Sequence, residues 1–316
     1  MTNDRSGSPA PVVWLLTDKK PGHRNQLKGL GNRLRVLAGA SVLEVDATET
    51  PVPLWRALLG IPPAMDQTLG APSLIVAAGS STHRLLLSLR RRRKTRTVVL
   101  MKPGFPLGWV DAAIIPGHDE VAPARYILTT EGVMNAITPL ARITDKPEGL
   151  ILIGGPSPHF DWDDDVVLGQ VSQLMGLYPG WRWTISGSRR TPETLLTQLE
   201  DLAGPKVTVV DPERTHASWL PHQLAASRAV WVTPDSGSMA CEAATSGVPT
   251  GLFELAPKSN SRVARGMASL VEKGYVARWS DHASVMAGKL AGAHHLWEAD
   301  RAARWLIEHF LKGGKR

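Results

Sequence analysis

The sequence has a single cysteine, Cys241, which excludes an intrachain disulfide and a cysteine-rich zinc site. No apolar run reaches 18 residues, so no segment is expected to span a bilayer. The opening stretch, MTNDRSGSPAP, is polar and has no hydrophobic signal core, so secretion is not expected and a cytoplasmic protein is. No GxSxG, no P-loop lysine motif, no GxGxxG after a strand and no HExxH are present, which removes the usual support for hydrolase, kinase, nicotinamide and metalloprotease chemistry. The one acidic run, Asp163-Asp164-Asp165, opens a predicted helix, where a dipole role fits better than a metal site.

What remains is a chain of 316 residues, enough for two domains, with 43% hydrophobic and 21% charged residues. Its net charge of +7 points to an acidic partner: a phosphate-bearing substrate, an anionic lipid or nucleic acid. After a polar tail over 1–11, buried-type strands alternate with helical patterns. Strands are expected at 12–17, 42–45, 74–78, 97–101 and 111–115, with helices at about 24–37, 54–59 and after Thr82. Asp145 to Gly149 (DKPEG) is the linker candidate. A second series follows, with strands at 150–153, 181–185, 207–210, 229–232 and from Val248, and helices near 166–175, 193–202 and 220–227. A closing helix is expected over about 295–311. The fold class is therefore α/β, two Rossmann-like domains with parallel sheets facing a central cleft. The domains are expected at 12–145 and 149–295, with a C-terminal helix, 296–316, packing back on the first.

Several turns at strand ends carry chemistry-bearing residues. Asp235, Ser236, Gly237, Ser238 and Met239 join a strand to a helix closed by Gly247, leaving backbone N–H groups where a phosphate is favoured. Glu242, two turns along from Asp235, can reach a sugar hydroxyl beside that phosphate. The competing reading is a helix cap by Asp235 or Ser236. Gly154-Gly155 follows a strand and can approach a phosphate or ribose closely. Ser188-Arg189-Arg190 lies before a helix, where paired guanidinium groups can clamp a diphosphate. In the first half, Asp18 and Gly22-His23 precede a helix. There a neutral imidazole oriented by Asp18 can deprotonate a hydroxyl. His118, beside Asp119, follows the fifth strand at the same sheet edge, so either histidine is a candidate base. Six basic residues stand among the seven from Arg90 to Arg96 (Arg90, Arg91, Arg92, Arg93, Lys94 and Arg96). They suit an anionic membrane surface or a solvated helix end. Aromatic residues are absent from the run, which argues against nucleic acid.

These blocks together resemble the mitochondrial-fission "elongated mitochondria" family, many of whose bacterial members are described as glycosyltransferases. The resemblance rests on Thr17-Asp18 with Gly22-His23 and Asn25-Gln26, and on Pro116-Gly117-His118-Asp119. It rests further on Gly154-Gly155-Pro156 with Ser188 to Pro192, and on Thr233 through Glu242-Ala243. It implies a GT-B architecture with a nucleotide-sugar donor, as co-substrate, on the C-terminal domain and no bound cofactor or metal. Glu242 then looks like the residue holding the donor ribose. Asn25, Gln26 and Gly22 fall on the acceptor side, together with the basic run from Arg90 to Lys94. The implied reaction is sugar transfer to an acceptor hydroxyl, on a membrane glycolipid at the cytosolic face. A nucleotide-sugar epimerase of the same fold and a non-catalytic membrane scaffold are the alternatives. The chain departs from the family at Thr215 to Pro221, where members carry an Asn-Pro-Tyr-like turn, a region that bears on the nucleobase.

Overall fold

The structure, a computed structural model, describes residues 10–289 and 295–311. Residues 1–9 of the expected tail and the last five residues lie outside them. The chain forms two α/β units. The first takes residues up to Thr130, Met134–Ala136 and the segment from Glu298; the second takes Glu131–Val133 and Ile137–Trp297.

The first unit contains β1 (Val12–Thr17), α1 (Pro21–Ala38), β2 (Ser41–Asp46), α2 (Leu54–Leu59), β3 (Leu74–Ala78), α3 (His83–Leu89), β4 (Arg96–Leu100), β5 (Ala112–Pro116) and β6 (Ile127–Thr130). All six strands are parallel, in the order β2-β1-β3-β4-β5-β6. Strands β3 and β5 are apolar and buried at every position because helices cover both faces, as parallel crossovers require. One face packs Leu15, Val76 and Ile114 on Leu27, Leu30 and Leu34 of α1, and the other packs Trp14, Ile75 and Val99 on Leu85, Leu86 and Leu89.

The second unit contains β7 (Glu148–Leu152), α4 (Asp164–Leu177), β8 (Arg182–Ser186), α5 (Glu193–Glu200), β9 (Val207–Val210), α6 (Trp219–Ala226), β10 (Ala229–Val232), α7 (Gly237–Ser246), β11 (Thr250–Leu252), α8 (Arg262–Glu272) and α9 (His282–Met286). Its sheet is also parallel, ordered β11-β10-β7-β8-β9. Asp163 opens α4 by accepting from the N–H groups of Asp165 and Val166.

One departure from the sequence reading has a clear cause. The chain leaves the first unit near 131–137, upstream of the 145–149 stretch, because Ile137 and Leu140 pack in the second unit's core and Leu140 N–H donates to the Ser246 carbonyl. The C-terminal segment, α10 (Glu298–Leu306) with a wider π turn at Ile307–Leu311, belongs to the first unit. There Asp300 accepts from Arg33 of α1 at 2.8 Å. Among the described residues, no helix is long and apolar enough to cross a membrane.

In both sheets the chain reverses its direction of travel once. The reversal falls between β1 and β3 in the first and between β7 and β10 in the second. Ligand sites in such folds form beyond the strand C-termini at these points.

Candidate functional site

In the second unit the reversal brings the loop after β7 against the loop after β10. Gly154 N–H donates to Thr233 Oγ1 at 2.7 Å and Gly155 N–H to Asp235 Oδ2 at 3.0 Å. A side chain at either glycine would collide: a Cβ on Gly154 would lie 2.1 Å from Asp235 Oδ2, and one on Gly155 2.0 Å from the Arg190 carbonyl. The two glycines are thus required by loop packing, which is a different role from contacting a ligand.

Arg190 and Asp235 are also placed differently from the paired-clamp expectation. The Arg190 guanidinium donates to Asp235 Oδ2 and the Gly155 carbonyl, both at 2.7 Å. The Asp235 side chain is 1% exposed, so this pair braces the loops from behind. Ser188 belongs to the same brace: its hydroxyl donates to the Gly154 carbonyl at 2.9 Å, and its N–H donates to Thr191 Oγ1 at 2.7 Å. Both arginines are exposed on the cavity wall, but Arg189 alone of the pair has no structural hydrogen bond or ion pair among the described residues.

The brace fixes the start of α7, and neither Asp235 nor Ser236 caps it. Ser236 N–H turns back to the Thr233 carbonyl, and the first helical bond runs from Ala240 N–H to the Ser236 carbonyl. The N–H groups of the first helical turn, Gly237 to Met239, have no capping side chain, as an anion site requires. Ser236, Ser238, Met239 and Glu242 line a cavity of about 550 Å³ together with Arg189. The spacing of Ser238, Met239 and Glu242 puts them on one helix face. Trp219, Thr215 and Pro212 form a further wall with Ser186 and Gly187. Sequence reasoning passed over Trp219, although it falls in the stretch that departs from the family pattern. The volume lies in the range of small-ligand sites. Cys241, one position before Glu242, faces the core and accepts from Val133 N–H at 3.3 Å.

The first unit's reversal point holds a second constellation. Asp18, 4% exposed at the end of β1, accepts at one oxygen from Ser81 Oγ (2.7 Å) and meets His23 Nδ1 (2.9 Å). Its other oxygen accepts from Lys20 N–H at 3.0 Å. Burial pushes the carboxyl pKa up, but these hydrogen bonds outweigh burial and hold it below the ordinary aspartate value. With Nδ1 facing Asp18, the imidazole keeps Nε2 for a proton transfer. Gly79, with φ 91°, passes so close that a Cβ there would lie 2.2 Å from His23 Nδ1. His83, in the first turn of α3, is pulled below the usual histidine pKa by burial and then by the His23 charge. Ser81, Gly79 and His83 were not singled out in the sequence.

Other candidates fall elsewhere. His118 follows β5, three strands from β1, a lateral distance of roughly 14 Å at ordinary strand spacing. Asp18 therefore selects His23 as its partner. Asn25 Oδ1 accepts from Ala136 N–H at 3.2 Å, and buried Gln26 points its amide at Met101 Sδ. Both side chains are engaged within the first unit. Gly22 has open space around it. Arg90 is withdrawn from the basic face because its guanidinium donates to the carbonyls of Ala57, Leu58 and Leu87. Arg92 is half-buried with its guanidinium 5.1 Å from the Trp14 ring. Arg91, Arg93 and Lys94 remain exposed. Among the described residues, no group of three or more His, Cys, Asp or Glu side chains is arranged to hold a metal ion.

Two Rossmann-like units, each built on a parallel sheet that reverses direction once, define the GT-B-like class. The chain belongs to the mitochondrial fission ELM1 family, whose model matches residues 21–310. An uncharacterized protein of Rickettsia prowazekii (strain Madrid E) is 23% identical over 296 residues, 76% of this chain and 82% of that relative. Among solved structures, the chain is similar to the UDP-GlcNAc 2-epimerase of Neisseria meningitidis bound to UDP-GlcNAc. That match has TM-score 0.57 and 11% identity, covering 96% of this chain and 100% of the other. It is also similar to MurG of Acinetobacter baumannii, with TM-score 0.52, 11% identity and the same coverage.

Proposed function

We propose that the protein is a nucleotide-sugar enzyme of the glycosyltransferase type. The observation that carries this reading is the uncapped start of α7 opening, with Arg189 and Glu242, into one cavity of the second unit. A diphosphate there would meet N–H groups, the positive end of the helix dipole and a guanidinium, all favouring charge on a leaving group. Glu242 would accept from the ribose hydroxyls, and Trp219, on the cavity wall, would stack on the base. His23, held by Asp18 and Ser81, would take the proton from the acceptor hydroxyl. The acceptor is a hydroxyl compound, and a membrane glycolipid fits the cationic character of the chain. The likeness to an epimerase bound to UDP-GlcNAc supports a nucleotide-sugar ligand as well as a GT-B frame.

A thermal-shift panel of UDP-, GDP-, CMP- and dTDP-linked sugars tests this reading. A true donor at about 100 times its Kd raises stability by roughly 2.7 kcal/mol. If none of the four shifts the melt, the reading fails. If the shifting sugar is converted to its epimer without an acceptor, the protein is an epimerase of the same frame.

A further inference from the structure

The first unit carries an apolar surface that its own core does not use. α2 buries only Ala57. Leu54, Trp55, Leu58 and Leu59 are 56%, 53%, 46% and 51% exposed, and Ile61 just beyond is 39% exposed. Scattered exposed leucines are ordinary, but five large apolar side chains within eight positions form a patch that needs an occupant. The helix is held in this presentation by polar contacts beneath it. Arg90 closes its C-terminal carbonyls, and Gly60 ends it in the left-handed region at φ 66°. The Arg91 stem lies against that end, where a Cβ on Gly60 would be 2.9 Å from Arg91 Cδ.

The basic run therefore begins at the apolar helix. Arg91, Arg93 and Lys94 are exposed, and the Arg56 guanidinium lies 5.3 Å from the Trp55 ring. No acidic residue occurs between Glu49 and Asp66 or from Arg84 to Val110. A second copy docking the same patch onto itself would bring these cations together, which disfavours self-association. An anionic leaflet answers both features: it takes aromatic and aliphatic side chains at the headgroup level and attracts arginine and lysine around them.

We propose that α2 and the end of α3 form a peripheral membrane surface, with Leu54, Trp55, Leu58 and Leu59 entering the headgroup region of an anionic leaflet. The proposal is independent of the donor site.

Flotation of the full chain with phosphatidylcholine vesicles, with and without about one-third phosphatidylglycerol, tests it. The wild type should float with the anionic vesicles and be released by high salt. Arg91→Gln/Arg93→Gln/Lys94→Gln should weaken binding about 100-fold, at roughly fivefold per charge. Trp55→Ser/Leu59→Ser should weaken it at least tenfold with nucleotide binding unchanged, since the altered side chains are exposed. Equal flotation with neutral and anionic vesicles would overturn the proposal, as would flotation of both variants like the wild type. A wild-type dimer in sedimentation that Trp55→Ser/Leu59→Ser dissociates would also overturn it, because a second copy would then cover the patch. The wild-type lipid and salt comparison decides the matter even if a variant misfolds.

Discussion

Gly79→Ala should remove most of the activity while leaving nucleotide affinity intact. The added Cβ would sit 2.2 Å from His23 Nδ1, 2.5 Å from His23 Cε1 and 2.7 Å from Asp18 Oδ2. Asp18 is held by Ser81 and Lys20, so the clash is relieved only by the His23 ring moving off Asp18. The backbone at φ 91° adds a cost of about 1–3 kcal/mol for any residue with a side chain. The imidazole has to leave, and loss of a positioned general base lowers turnover by about 100-fold to 10,000-fold. Gly22→Ala is the matched control, since nothing lies within 4 Å of its Cβ position. Initial rates with the donor found in the melting panel, alongside its Kd, read both variants. Full turnover by a folded Gly79→Ala protein would remove His23 from the mechanism.

Glu242→Ala should lose donor binding with the fold retained. Glu242 is half-buried on α7, on the same face as Ser238 and Met239 at the cavity wall. A carboxylate accepting from ribose hydroxyls contributes about 1.5–3 kcal/mol, so the expected loss is roughly 10- to 150-fold in Kd. Glu242→Gln keeps an acceptor oxygen without the charge and should fall between the two. Calorimetric titration with the nucleotide measures this directly. Unchanged affinity for Glu242→Ala would mean the ribose lies elsewhere. Unchanged cellular function despite lost binding would favour the scaffold alternative.

The alternating pattern of the chain made the α/β fold legible, because buried parallel strands such as 74–78 and 229–232 are apolar at every position. α8 was missed although Ser261 caps it and Val263, Met267 and Leu270 recur at helical spacing. β6 was missed because an edge strand reading Ile-Leu-Thr-Thr is only partly buried and has weak alternation. At the site, sequence spacing located the turn at Asp235 but could not assign its atoms. Whether Asp235 caps the helix or braces a neighbouring loop depends on Gly155 and Arg190, distant in sequence. The same holds for His23, whose orienting shell includes Ser81 from the loop after β3. A run of arginines reads alike whether its members face solvent or, like Arg90, close a neighbouring helix. Adjacent strands in a parallel sheet bring together residues that local patterns cannot pair.

A crystal structure of the full chain with UDP bound, or with the nucleotide that the melting panel selects, tests the central claim most directly. The account predicts the phosphates within hydrogen-bond distance of the Ser238 and Met239 N–H groups, with the ribose on Glu242. A nucleotide bound elsewhere, with the start of α7 empty, would contradict it.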